Sequence, residues 1–123
     1  MDIRSTLVAL CAAFNAHDLD RIMAFFADDC VLEMPRGSAA WGSRYEGRKS
    51  AREALAGRFA GLPDVHYGEA VHFVDASADT GMSKWTLTGT TREGKSLEVR
   101  GCDFYTFRDG KVIHKDSYWK IVE

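Results

Sequence analysis

The stretch Leu97-Glu98-Val99-Arg100-Gly101-Cys102-Asp103-Phe104-Tyr105-Thr106-Phe107 decides how this chain is read. Its odd positions run Leu97, Val99, Gly101, Asp103, Tyr105 and Phe107, an apolar series broken by one carboxylate. Side chains alternate between the faces of a strand, so Asp103 is expected to share an environment with Val99 and Tyr105. A carboxylate on a buried face is costly unless it is paired, protonated or used. The segment therefore predicts a half-buried strand that carries a candidate site.

Period-two patterning continues on both sides. Arg108-Asp109-Gly110-Lys111 reads as a turn, and Val112 to Val122 as a closing strand. Upstream, Met82 to Thr91 is a strand in which Trp85 and Leu87 alternate with Lys84, Thr86 and Thr88, followed by the turn Arg92-Glu93-Gly94-Lys95. Val65 to Val74 precedes it. The first third has helical spacing. Ile3, Leu7, Leu10, Cys11 and Phe14 form one amphipathic stripe. Asp18 is a candidate N-cap for a second helix carrying Leu19, Ile22, Met23, Phe25 and Phe26, ended by Asp28-Asp29. Cys30 to Met34 reads as a short strand stopped by Pro35. Residues 36–47 read as a loop holding Trp41 and Tyr45, and a third helix runs from about Lys49 to Phe59. Helices first and an antiparallel meander afterwards predict an α+β domain spanning 1–123, with helices on one face of a curved sheet.

Composition narrows the function classes. The 123 residues carry a net charge of −2, with no basic stripe of the kind nucleic acid or an anionic membrane requires. No apolar run reaches the roughly 20 residues of a membrane span, and no signal peptide is seen. Cys11, Cys30 and Cys102 are scattered and odd in number, so they read as reduced thiols of a cytoplasmic protein.

Phe14-Asn15-Ala16-His17-Asp18-Leu19-Asp20 and Phe26-Ala27-Asp28-Asp29-Cys30-Val31-Leu32-Glu33 resemble the opening of the nuclear transport factor 2-like superfamily. Asp103-Phe104-Tyr105-Thr106-Phe107 and Asp109-Gly110-Lys111-Val112 resemble its later strands. The SnoaL-like polyketide cyclases and the ketosteroid isomerases belong there. The resemblance implies a cone-shaped α+β barrel around a deep apolar pocket, usually in a homodimer. Asp103 matches the ketosteroid isomerase aspartic acid that stays protonated and hydrogen-bonds the substrate oxygen. The general-base aspartate of those enzymes falls at Met34 and their oxyanion tyrosine at Leu10. An inward aspartate of cyclases and limonene-type epoxide hydrolases falls at Ser117. The Arg and Asp pair of the epoxide hydrolases falls at Lys84 and Thr86.

The last hairpin decides what Asp103 meets. A three-residue loop Arg108-Asp109-Gly110 pairs Phe107 with Lys111, so that Asp103 faces Lys115, with Ser117 and Trp119 following on the same side. A two-residue loop Asp109-Gly110 instead sets Asp103 against Asp116, a like-charge clash. The first register is preferred because it also places Trp119 and Ile121 on the pocket face. Asp103 and Lys115 are then the candidate acid–base pair, the alternative being an inert buried pair. Tyr105, Ser117, Trp119, Val99, Thr86, Met34 and Phe14 are the candidate ligand contacts. Trp85 and Phe104 are expected on the opposite face, as part of an apolar dimer surface. Trp41 either caps the pocket mouth or packs on the third helix.

His66 and His72 are expected on one strand face about 20 Å apart, too far to share a metal. His72 is a weaker candidate base at the pocket mouth. His17 falls in an interhelix turn and His114 points away. No metal-ligand spacing, phosphate cradle or nucleotide fingerprint is present, so neither metal nor cofactor is expected. The resulting expectation is a protein that binds a small hydrophobic, oxygen-bearing molecule and acts on it as a cofactor-free isomerase, cyclase or hydratase. The alternative is a non-catalytic ligand-binding or dimerisation module.

Overall fold

The computed structural model describes residues 2–123. The elements in chain order are α1 (Ile3–Asn15), α2 (Leu19–Met23), β1 (Phe26–Glu33), β2 (Arg44–Glu46), α3 (Arg48–Gly61), β3 (His66–Asp75), β4 (Thr80–Thr90), β5 (Ser96–Arg108) and β6 (Lys111–Trp119). The strands form one curved sheet in the order β2-β1-β6-β5-β4-β3, antiparallel except for the parallel β1–β6 pair. The sheet wraps into a cone-like shell without closing, leaving β2 and β3 as edges.

The helices line the concave side. Asp2 caps α1 by accepting from the Arg4 N–H at 3.1 Å and the Ser5 hydroxyl at 2.6 Å. Ile3, Leu7, Leu10, Ala13 and Phe14 bury the inward stripe of α1 against β3 and β4. Asp18 caps α2 through the Arg21 N–H at 3.1 Å, as its sequence position indicates. α3 packs on β1 through Ala51 and Leu55, and Phe59 stacks on His17 with ring centres 4.5 Å apart. No helix among the described residues is long and apolar enough to cross a membrane.

One boundary differs from expectation for a clear reason. α2 stops at Met23, and Phe26, Asp28 and Asp29 belong to β1. Phe26 pairs with Val112 on β6 and is fully buried, so sheet pairing overrides the helical spacing of the two phenylalanines.

Two bulges decide which side chains face the concave side. In β3, Glu69 (φ 54) and Ala70 together oppose Trp85, because Gly68 pairs with Thr86 and Val71 with Lys84. Inward positions therefore change from odd (Tyr67) to even (Ala70, His72, Val74). In β6, Phe107 pairs with Val112 but Thr106 with His114, leaving Ile113 as the extra residue.

Candidate functional site

The hairpin that feeds the site follows neither expected register. Asp109 (φ 51) and Gly110 (φ 78) are both left-handed, so the loop has two residues and Arg108 pairs with Lys111. That loop alone would have set Asp103 against Asp116. The extra residue Ile113 shifts the pairing once more, and Asp103 faces Ser117 while Lys115 lies opposite Tyr105. The direct Asp103–Lys115 pairing is thus corrected to a diagonal one. Lys115, Ser117 and Asp103 nevertheless share the concave face.

There they form a closed cluster. Asp103, Lys115 and Ser117 are only 5%, 5% and 6% exposed. Asp103 Oδ1 accepts from the Ser117 hydroxyl at 2.6 Å and from Lys115 Nζ at 3.1 Å. Asp103 Oδ2 accepts from the indole Nε1–H of Trp85 at 3.1 Å. Lys115 Nζ also donates to Ser117 Oγ at 2.7 Å and lies 5.3 Å from the centre of the Phe14 ring. Three donors on one buried carboxylate answer the cost of burying it.

Trp85 is the participant that the sequence reading placed on the wrong face. It was expected outside with Phe104; only Phe104 is there, 42% exposed. The loop between β4 and β5 is the five residues Thr91–Lys95, closed by the Thr91 N–H donating to the Lys95 carbonyl at 2.9 Å. A four-residue turn would have set Trp85 against Cys102; the longer loop sets it against Gly101, on the concave face. Gly101 is needed there. A Cβ at that position would fall 2.8 Å from the Trp85 ring and 2.3 Å from the Tyr118 carbonyl oxygen. The same register turns Thr86 outward, opposite exposed Arg100, which removes Thr86 as a ligand contact.

Burial dominates the electrostatics. It pulls the Lys115 ammonium below the ordinary lysine range, against the attraction of Asp103. It pushes the Tyr105 hydroxyl well above its usual value, reinforced by the Asp103 charge. Tyr67 is pushed up to about 12, again by burial, with the nearby Arg58 guanidinium acting in the opposite sense. Both phenols stay neutral in any ordinary buffer.

The deep apolar pocket expected from the resemblance is not open in this structure. A cavity of about 10 Å³ lies among Asp103, Lys115, Ser117, Trp85, Arg58 and Trp119. A second, also about 10 Å³, lies among Asp103, Tyr105, Tyr67, Phe14, Cys11 and Ser83. Each has room for about one water molecule. Two wider clefts flank them: one of about 560 Å³ between the Met34–Tyr45 segment and α3, another of about 320 Å³ beneath Trp41. Met34 borders the first cavity and both clefts, while Trp119 and Ser117 border that cavity and the Trp41 cleft.

The remaining sequence candidates separate. Tyr105 and Phe14 line the second cavity, whereas Val99 is packed in the core opposite Leu87. Trp41 stands at the outer cleft with the Arg44 guanidinium 4.5 Å over its ring, rather than on α3. The bulge in β3 puts His66 and His72 on opposite faces, correcting their expected alignment. His72 lies inward with Nδ1 2.8 Å from Ser83 Oγ, and burial holds its pKa below the usual histidine value. His114 faces outward, 2.7 Å from Glu33. Glu33, His114 and Asp116 gather with ligand atoms within 4.8 Å of one another, from strands that no sequence spacing connects. The second oxygen of Glu33 is held by Arg44 at 2.9 and 2.7 Å, and the Tyr118 hydroxyl donates to Asp116 at 2.8 Å.

Sequence reasoning missed Trp85, Arg58 and Ser83. Arg58 bridges the 560 Å³ cleft and the Asp103 cavity, with its guanidinium 4.5 Å over the Trp119 ring. Its position one helical turn after Leu55 on α3 was the available signal.

Comparison with known proteins follows the same lines. Residues 7–115 match the family model described as a SnoaL-like domain. A candidate polyketide cyclase from Xanthomonas campestris pv. campestris superposes with a TM-score of 0.85 at 19% identity, over 95% of this chain and 89% of that one. TerC, co-crystallised with polyporic acid, gives 0.80 at 19% identity over 94% and 89%. The epoxide hydrolase/cyclase-like enzyme SalBIII, of pyran ring formation in the polyether salinomycin, gives 0.81 at 16% identity over 96% and 90%. At such identities the likeness establishes the fold alone. No curated protein matches the chain.

Proposed function

The chain belongs to the SnoaL-like domain family, and from that premise we propose that it holds a small hydrophobic, oxygen-bearing molecule against Asp103 and moves a proton on it, as a cofactor-independent isomerase, cyclase or hydratase. One observation carries the reading: a carboxylate held by Trp85, Ser117 and Lys115 in a deeply buried interior. In such surroundings charges act strongly and need little reorganisation. Asp103 exchanges a proton with the ligand. Lys115 stabilises negative charge developing on the ligand oxygen, and Ser117 and Tyr105 orient it. The ligand reaches them by parting Met34 and Trp119, which border both cavity and cleft.

The test uses the Trp85 indole N–H as an NMR reporter during titration with small cyclic ketones and enones in D2O. Binding shifts that resonance, and deuterium enters the carbon beside the carbonyl. Asp103→Asn keeps the fold and loses the incorporation. The small cavities favour a second reading, a non-catalytic module packed by its own side chains. An unmoved Trp85 signal and no incorporation across the series would select it.

We further propose a second copy of the chain as partner on the outer face. Val71, Phe73, Met82, Phe104 and Tyr118 lie there in adjacent register rows. Lys84, Arg100 and Lys120 border one end, Asp75 and Asp116 the other. A two-fold axis lying in the interface and running across the strands sets each basic end on an acidic one.

A further inference from the structure

We propose that the molecule acted on beside Asp103 carries a carboxylate, which Arg36 and Arg58 hold in the cleft between the Met34–Tyr45 segment and α3. The inference rests on the reading of Asp103 as a ligand-contacting group.

The arginines around this cleft fall into two sets. Arg44 is committed to Glu33, Arg52 to Asp20 at 2.7 Å, and Arg48 donates to the Met23 carbonyl at 2.6 Å. Arg36 and Arg58 line the cleft and form no ion pair with any carboxylate among the described residues. Glu53 is the acidic side chain on the cleft wall, so the two guanidiniums outnumber it. Below the cleft, Asp103 is hydrogen-bonded to Lys115 at 3.1 Å.

Arg58 has the geometry of a receiving group. One face of its guanidinium lies 4.5 Å over Trp119, which fixes its plane, and its edge also reaches the Tyr67 hydroxyl. The fork of N–H donors points along the plane edge, where a carboxylate binds in two-point fashion. Arg58 also lines the Asp103 cavity, so a molecule anchored on it extends directly toward Asp103 and Lys115. Arg36 is set on the opposite wall by its own carbonyl, which accepts from the Ser43 N–H at 2.9 Å. Ser43, Ser50 and Tyr45 add hydroxyls between them. The cleft volume of about 560 Å³ suits a one- or two-ring molecule.

The experiment pairs small aromatic carboxylates (benzoate, cinnamate, 2-naphthoate) with their primary amides and measures each Kd by NMR titration of the whole chain at low salt. The carboxylates are expected to bind roughly tenfold tighter than the amides, and Arg58→Gln and Arg36→Gln each to remove most of that preference. Arg36 is exposed, so its variant tests the idea even if Arg58→Gln loosens Trp119. Equal or tighter binding of the amides overturns the carboxylate handle while the Asp103 reading stands. A carboxylate preference without movement of the Trp85 indole signal keeps the handle and overturns the Asp103 reading. No binding of any pair overturns the carboxylate handle, and the ketone and enone titration decides the Asp103 reading separately.

Discussion

Removing Asp103 alone should cost the fold more than removing the whole Asp103–Lys115 pair. In Asp103→Leu, Lys115 keeps one side-chain acceptor, Ser117 Oγ at 2.7 Å, and the Phe14 ring at 5.3 Å. Breaking a buried pair in this way costs roughly 3–5 kcal/mol. The lysine can escape by losing its proton, which from an ordinary pKa costs about 4.6 kcal/mol at pH 7 and so sets a ceiling in the same range. In Lys115→Met, Asp103 keeps the Ser117 and Trp85 donors at 2.6 and 3.1 Å. The loss there is about 1–3 kcal/mol. The double variant has no stranded charge, only an indole N–H without an acceptor, again about 1–3 kcal/mol. That orphan is shared with Asp103→Leu and cancels in the cycle, leaving the two stranding costs as a coupling energy of about 4 kcal/mol or more. Equilibrium urea unfolding of the four proteins at pH 7, with constant m-values, measures it. The pH sign is also fixed. Burial holds Lys115 below the ordinary lysine range, so between that lowered value and the ordinary one the unfolded chain binds a proton that the native state does not. Asp103→Leu should therefore regain stability as pH rises toward the ordinary lysine pKa. Additivity within about 0.5 kcal/mol, or no alkaline recovery, would refute the account.

Gly101→Ala should drive the Trp85 ring off Asp103 and destabilise by about 1–3 kcal/mol, read by urea unfolding and by loss of the hydrogen-bonded indole N–H resonance. Burial opposes ionisation of Glu33, but hydrogen bonds from Arg44 and His114 outweigh it and hold its pKa below the usual 4.5. Its contribution is present above that value and lost as pH falls through the lowered one, so wild type and Glu33→Gln should converge in stability below pH 4.5. Phe104→Glu should leave the fold intact and shift the sedimentation coefficient from dimer to monomer; an unchanged coefficient discards the outer face as the contact.

Much of the architecture was legible because it is written in local periodicity. The α1 stripe, the Asp18 cap and the alternation of β5 need only neighbours in the chain. The carboxylate on an apolar face was visible for the same reason. What escaped depends on counting across turns. One residue more in the Thr91–Lys95 loop brought Trp85 inward and sent Thr86 out. The bulge at Glu69 put His66 and His72 on opposite faces. The cavity volume was not legible at all, since it is set by how Trp119, Met34 and Arg58 come to rest against one another rather than by any spacing.

Ile113 has a consequence for how relatives of this chain are aligned and engineered. The short reversal at Asp109-Gly110 and the unpaired residue after Val112 are two phase errors that cancel. Deleting either alone would not slacken the final strand but turn it over, offering Asp116 to the interior and Lys115 to the solvent. Insertions and deletions here should therefore occur in pairs across a lineage, and a column-by-column comparison that treats them as independent gaps will misassign the interior of the molecule.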